Sequence, residues 1–200
     1  MKPLDKYLEL LTQWNSKINL VSTESLKNAE VVHFQDSIKI SEIIHNIIGK
    51  EELSDLGSGA GFPGLVYAHL YPESQITLYE RIDKKRAFLL AVTTELKLKN
   101  ITLKGEYQWK ALPKNTVARA VMPLEDLLEK FQKAASLDSR LFIPVSSLQP
   151  DSSSLRAAAS IEGSRGDSRQ APRSNLVEEQ IAYDLPLLGK RFVLVSRGTK

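Results

Sequence analysis

Leu4, Tyr7, Leu8, Leu11 and Ile18 recur at helical spacing, with Trp14 close to the same stripe, so residues 4–18 read as an amphipathic helix. Asn19-Leu20 leads into a polar turn. Ile38, Ile43, Ile44, Ile47 and Ile48 mark a second helix, with Ser37 as its cap and Gly49-Lys50 as its stop. From Glu52 the rhythm changes. A short strand to Leu56 passes through a glycine-rich turn into a helix over residues 63–70, and residues 75–79 form a second strand ending at Glu80. Asp83 can cap a helix over residues 84–98, and residues 101–103 supply a third strand. Further on, the pattern predicts a strand at 116–118, a helix at 124–134 with Pro123 just ahead of it, and a strand at 141–145. Strands alternating with helices imply a parallel sheet. Residues 181–185 and 191–196, around a turn near Leu188-Gly189-Lys190, read as an antiparallel edge hairpin.

Residues 146–175 break this order. They are serine-rich, short of large apolar residues and dotted with Arg156, Arg165, Arg169 and Arg173. A structureless stretch of that length is unusual inside a compact domain. It reads either as a flexible surface excursion or as an arm that orders on a polyanion. The organisation expected is an N-terminal helical extension, residues 1–50, and an α/β domain, residues 51–200, with an insertion at 146–175.

Composition narrows the chemistry. With 200 residues and 42% hydrophobic content the chain can bury one sizeable core. It has no cysteine, which removes disulfides, zinc ribbons, iron–sulfur sites and thiolate nucleophiles together. His33, His45 and His69 are too scattered to suggest a metal site, so none is expected. There is no long apolar run, and Lys2, Asp5, Lys6 and Glu9 stand where a signal peptide needs an apolar core; a cytoplasmic protein without membrane contact is expected. Residues 1–139 carry 18 basic and 18 acidic side chains, so the net +3 resides wholly in residues 140–200. A surplus that small is weak evidence of a nucleic-acid partner.

The stretch at residues 54–64, SDLGSGAGFPG, lies between a strand and a helix, where backbone N–H groups and the positive helix end can face a ligand closely. It departs from the dinucleotide fingerprint because Phe62 takes the third glycine's place, and no Gly-Lys-Ser/Thr follows to make a phosphate loop. Glu80, at the tip of the second strand, can accept from both hydroxyls of a ribose. A nucleoside with a small group at its other end fits, and S-adenosylmethionine is such a ligand. Asp55 would then oppose the ligand's positive charges.

The string DLGSGAGFPG, the preceding His33-Phe34-Gln35-Asp36-Ser37, Trp14-Asn15 with Asn19-Leu20, Glu80 with Lys84-Lys85 and Phe88-Leu89, and Arg119-Ala120 together resemble the RsmG (GidB) family. That resemblance spans about residues 8–143 and 180–197. It implies a Rossmann-like, S-adenosylmethionine-dependent methyltransferase fold, with a mostly parallel twisted sheet, that methylates N7 of a guanine in 16S ribosomal RNA. Carried over by position, it puts the Gly57 and Phe62 backbone along the methionine part of the cofactor with Asp55 and Gly59 beside them, and Glu80 on the ribose. Tyr107-Gln108 would lie against the adenine, and Arg119 would face both cofactor and target base as the catalytic donor. The partner implied is 16S rRNA or the 30S subunit, met by a monomer.

Other positions stay open on the residues alone. His33 and Asp36, three apart at a helix start, read as a mutually bonded structural pair or as RNA contacts. Arg81, Lys84, Lys85 and Arg86 form either a solvated helix end or a set of phosphate contacts that position RNA. Glu106 stands where the family has arginine, and no lysine follows the strand at 141–145. A methyltransferase of another substrate, or a non-catalytic cofactor- or RNA-binding homologue, therefore remains beside the main reading.

Overall fold

The computed structural model describes residues 3–146, 177, 179–186 and 188–198, so the insertion expected at 146–175 falls, beyond Ser146, outside the described residues. Seven strands form one sheet: β1 (Leu53–Leu56), β2 (Ile76–Tyr79), β3 (Ile101–Lys104), β4 (Asn115–Ala118), β5 (Arg140–Val145), β6 (Glu179–Leu185) and β7 (Gly189–Arg197). Their order is β3-β2-β1-β4-β5-β7-β6. The first five run parallel, while β7 is antiparallel to both β5 and β6. Of the C-terminal hairpin only β6 is an edge strand, and β3 forms the opposite edge of the sheet. Pairing carries the strands slightly past their apolar runs: Arg140 meets Arg197, and Leu185 meets Gly189.

Side-chain alternation splits the core between two faces. Val117, Phe142, Val193 and Val195 point to one face, where Tyr7, Leu11, Phe34, Ile40, Ile44, Leu65 and Phe88 cover them. These come from α1 (Pro3–Asn15), the turn before and the length of α3 (Asp36–Ile48), α4 (Gly64–Leu70) and α5 (Asp83–Glu95). Leu56, Ala118, Leu141 and Leu194 point to the other face, under Leu127, Leu128 and Phe131 of α6 (Leu124–Ala134). The N-terminal helices therefore share one core with the sheet.

Helix ends depart from expectation for identifiable reasons. α1 stops at Asn15 because the Asn15 side chain accepts from the Leu20 and Val21 amides, both at 2.9 Å, and turns the chain. A short helix, α2 (Thr23–Lys27), then forms on a Ser22 cap that the apolar pattern does not reveal. Ser37 is not a cap. A π-helical turn, Glu30–Gln35, runs unbroken into α3, so Ser37 is fully buried inside helix and its hydroxyl has no hydrogen-bond partner. Asp83 is likewise inside the first turn of α5, paired with Arg86, and Ile82 occupies the cap position. That helix ends at Glu95, just before Lys97 takes a left-handed φ of 55°.

Candidate functional site

Strands are added to one side of β1 up to β3 and to its other side from β4 on, and such a switch point opens a crevice at the strands' carboxyl ends. Two cavities flank it, and Ala120, just past β4, lines both. The larger, about 290 Å³, is bounded by Gly57, Tyr79, Glu80, Tyr107 and Val121; the smaller, about 180 Å³, by Asp36, Arg119, Tyr183 and Arg191. Ala120 has φ 53°, a strained setting for a residue with a Cβ. A roomier cleft of about 510 Å³ lies instead among Leu4, Leu8, Phe34 and Ile38 of the N-terminal helices, away from the strand ends.

Glu80 directly follows β2 and is 6% exposed. Its Oε2 accepts from the Gly59 amide at 3.0 Å and its Oε1 from the Ile82 amide at 2.8 Å. The carboxylate thus fastens the glycine turn to the start of α5 while facing the larger cavity. Each oxygen keeps a second lone pair for a ligand hydroxyl.

The glycines of the turn do two jobs. Gly57 borders the cavity, where a Cβ would meet Val121 at 3.0 Å, and a Cβ on Gly59 would make only an ordinary contact with the Gly57 carbonyl at 3.7 Å. Gly61 and Gly64 instead make room for the protein: a Cβ on Gly61 would strike the Tyr7 hydroxyl, and one on Gly64 the Asp55 carboxylate, each at 2.5 Å. Tyr7 donates to the Ala60 carbonyl from α1, pinning the turn from below. Phe62 is sandwiched between the Tyr7 and His33 rings, with centroids 5.2 and 5.0 Å away, and Phe34 meets it edge-on. Its side chain is therefore a core element under the turn.

Asp55 is 1% exposed, and its Oδ2 accepts from the Gly64 amide at 3.1 Å. Burial pushes its carboxyl up to about 7, against the Gly64 hydrogen bond that favours the charged form. Among these contacts it braces the start of α4; it lines neither cavity.

The His33 and Asp36 side chains do not pair with each other. Both hold Arg119, which donates from Nη2 to His33 Nδ1 at 3.0 Å and from Nη1 to Asp36 Oδ2 at 3.2 Å. A guanidinium cannot accept, so His33 Nδ1 must, which leaves the proton on Nε2 to be donated to Ser25 Oγ at 3.1 Å. Burial, then the Arg119 charge, lowers His33 to about 4 and keeps the ring neutral. Asp36 Oδ1 accepts from the Tyr183 hydroxyl at 2.7 Å. Arg119 consequently faces the smaller cavity, and its side chain is 23% exposed.

Tyr107 lines the larger cavity edge-on to Tyr79, while its hydroxyl bonds Thr116. Gln108 is exposed and outside that wall, so the expected pair is divided. The basic group divides too. Arg81 and Lys85 stand at the cavity mouth, Lys84 is exposed along α5, and Arg86 donates inward to the Glu80 carbonyl and to Asp83. Glu106 shares the mouth with Lys85. Sequence reasoning missed Tyr183 and Arg191. They face each other across the hairpin, and Arg191 has a buried Nε without a partner. A charged residue opening the apolar run Phe192–Val195 was the one available sign.

Residues 1–150 match the family model described as GidB, rRNA small subunit methyltransferase G. The chain is 30% identical over 199 residues to ribosomal RNA small subunit methyltransferase G of Nitrosomonas eutropha, covering 96% of this chain and 85% of that one. To the protein of the same name from Lactococcus lactis subsp. cremoris it is 37% identical over 105 residues, 52% of this chain and 43% of that one. This second match spans less than half of the Lactococcus protein. Among solved structures, a variant of MtNAS in complex with S-adenosylmethionine superposes with a TM-score of 0.57 at 10% identity, over 98% of this chain and 75% of that one. That likeness is one of fold.

Proposed function

The chain belongs to the rRNA small subunit methyltransferase G family, and on that premise we propose that it methylates N7 of a guanine in 16S rRNA, with S-adenosylmethionine as donor. The observation that carries this reading is the pair of cavities meeting at Ala120, one ending on a carboxylate and the other on two guanidiniums. The larger cavity fits an adenosyl ligand. Glu80 can take the ribose hydroxyls, Tyr107 and Tyr79 give an aromatic wall, and Gly57 keeps the turn clear of side chains. Bound there, the ligand supplies a methyl carbon made electrophilic by its sulfonium.

Guanine N7 carries an in-plane lone pair, so the acceptor needs no general base. The work left to the protein is alignment, exclusion of water and hydrogen bonding that orients the base through its O6. Arg119 and Arg191, facing the smaller cavity, are the donors. Arg81 and Lys85 at the mouth, and Lys84 beyond it, position the phosphate backbone. A base stacked in rRNA must first be exposed to enter. In this reading residues 51–200 are the methyltransferase domain, residues 1–50 are the helical extension that props its glycine turn, and the enzyme acts in the cytoplasm as a monomer.

Glu106 at the cavity mouth favours a second reading, a homologue that binds the cofactor but leaves RNA unmodified. Incubation with labelled S-adenosylmethionine and unmethylated 30S subunits or 16S rRNA separates the two. Label in the RNA supports the enzyme; binding without transfer supports the homologue.

A further inference from the structure

Tyr183 and Arg191 are direct partners in the β6–β7 register, so the edge hairpin presents them side by side to the smaller cavity. The Tyr183 hydroxyl donates to Asp36 Oδ1 at 2.7 Å, bridging 147 residues of sequence, while Asp36 Oδ2 takes Arg119 Nη1. Asp36 is 5% exposed, and a carboxylate so placed needs hydrogen-bond donors. Without the hydroxyl, the guanidiniums that line the same cavity are the charged donors able to satisfy Oδ1. Arg119 could swing to a two-pronged grip, or Arg191, which has no ion pair among the described residues, could turn inward. Either change would spend on Asp36 the donors that face the cavity. Burial, and then the Asp36 charge, hold the Tyr183 hydroxyl well above its ordinary range, so it stays a donor at any working pH.

We propose that Tyr183 is a positioning residue: by occupying Asp36 Oδ1 it restricts that carboxylate to a single contact with Arg119 and keeps Arg191 uncommitted, leaving both guanidiniums directed at the substrate. This rests on the smaller cavity receiving the acceptor base. Tyr183 touches neither base nor cofactor in this scheme; it acts through Asp36.

The test is Tyr183→Phe, which keeps the ring and removes only the donor. Expected are a crystal structure in which Asp36 bonds Arg191 or grips Arg119 through both oxygens, a roughly tenfold lower kcat, and a KM for 30S subunits and a Kd for S-adenosylmethionine within about twofold of the parent. In an Asp36→Asn background, where no buried carboxylate competes for arginine, the same change should lower kcat less than twofold. A plain packing role would give equal losses in both backgrounds. Equal losses, a change in KM alone, or an Asp36 that stays put in the variant crystal would overturn the proposal. If the parent protein transfers no methyl group to RNA, the enzymatic reading falls, and the variant crystal alone decides the role of Tyr183.

Discussion

Arg119 and Asp36, 83 residues apart in the chain, meet through Nη1 and Oδ2 at 3.2 Å on the substrate side of the crevice. The contact ties the end of β4 to the first turn of α3. It also decides which way the guanidinium looks, because His33 holds the other terminal nitrogen.

Removing one partner of that pair leaves a partly buried charge. A fully buried pair costs about 3–5 kcal/mol when broken, and Arg119 retains some water, so Asp36→Ala should lower stability by about 2 kcal/mol. Single-turnover methylation should fall at least tenfold in the same variant. Urea unfolding reads the first effect and label transfer the second. A stable variant with full turnover would remove Asp36 from the site.

Acid should weaken the fold through His33. Its folded value of about 4 lies below the ordinary 6.5, so between those values the unfolded chain binds more protons and stability rises with pH. The contribution is complete above pH 6.5 and is lost as pH falls towards 4. Asp55, raised to about 7, acts in the opposite sense, its contribution being lost as pH rises through 7. Comparing urea midpoints of the parent and His33→Gln at pH 7.5 and 5 isolates the histidine. The gap between the two proteins should change, with the parent losing more on acidification; a constant gap would mean that His33 is not held neutral.

Glu80 should dominate cofactor affinity. Glu80→Gln keeps an acceptor oxygen but loses the charge and one amide contact, and should weaken S-adenosylmethionine by about 1–3 kcal/mol. Calorimetry that gave an unchanged affinity would reject the ribose role.

Tyr7 links the N-terminal helices to the crevice. In Tyr7→Phe the Ala60 carbonyl, in a residue 7% exposed, loses its donor while the ring stack survives. A loss of about 1–2 kcal/mol in stability is expected. Cofactor affinity should fall several-fold as well, since Ala60 lies between Gly59 and Gly61. Thermal melts with and without ligand separate these; an unaltered affinity would make Tyr7 a support for the core alone.

Much of the architecture was legible because periodicity reports burial. The parallel strands, the edge hairpin and α6 all follow from it. Boundaries set by side-chain hydrogen bonds were not: Asn15 ends α1 and Ser22 starts α2 through contacts that no apolar pattern encodes. In the site, the glycine turn and Glu80 come together because both follow neighbouring strands. Two links lay beyond the sequence. His33 and Asp36 bind Arg119 rather than each other, and Tyr183 closes the group from the far end of the chain. Long-range polar contacts of this kind depend on where the sheet order brings β4 and the hairpin, which local spacing does not specify.

The most direct test is chemical mapping of N7-methylguanine in 16S rRNA from cells lacking this protein, with and without a plasmid carrying it. One guanine should be unmodified in the deletion, regain its N7 methyl with the parent chain and stay bare with Arg119→Ala. An identical N7-methylguanine pattern in all three RNAs would contradict the assignment.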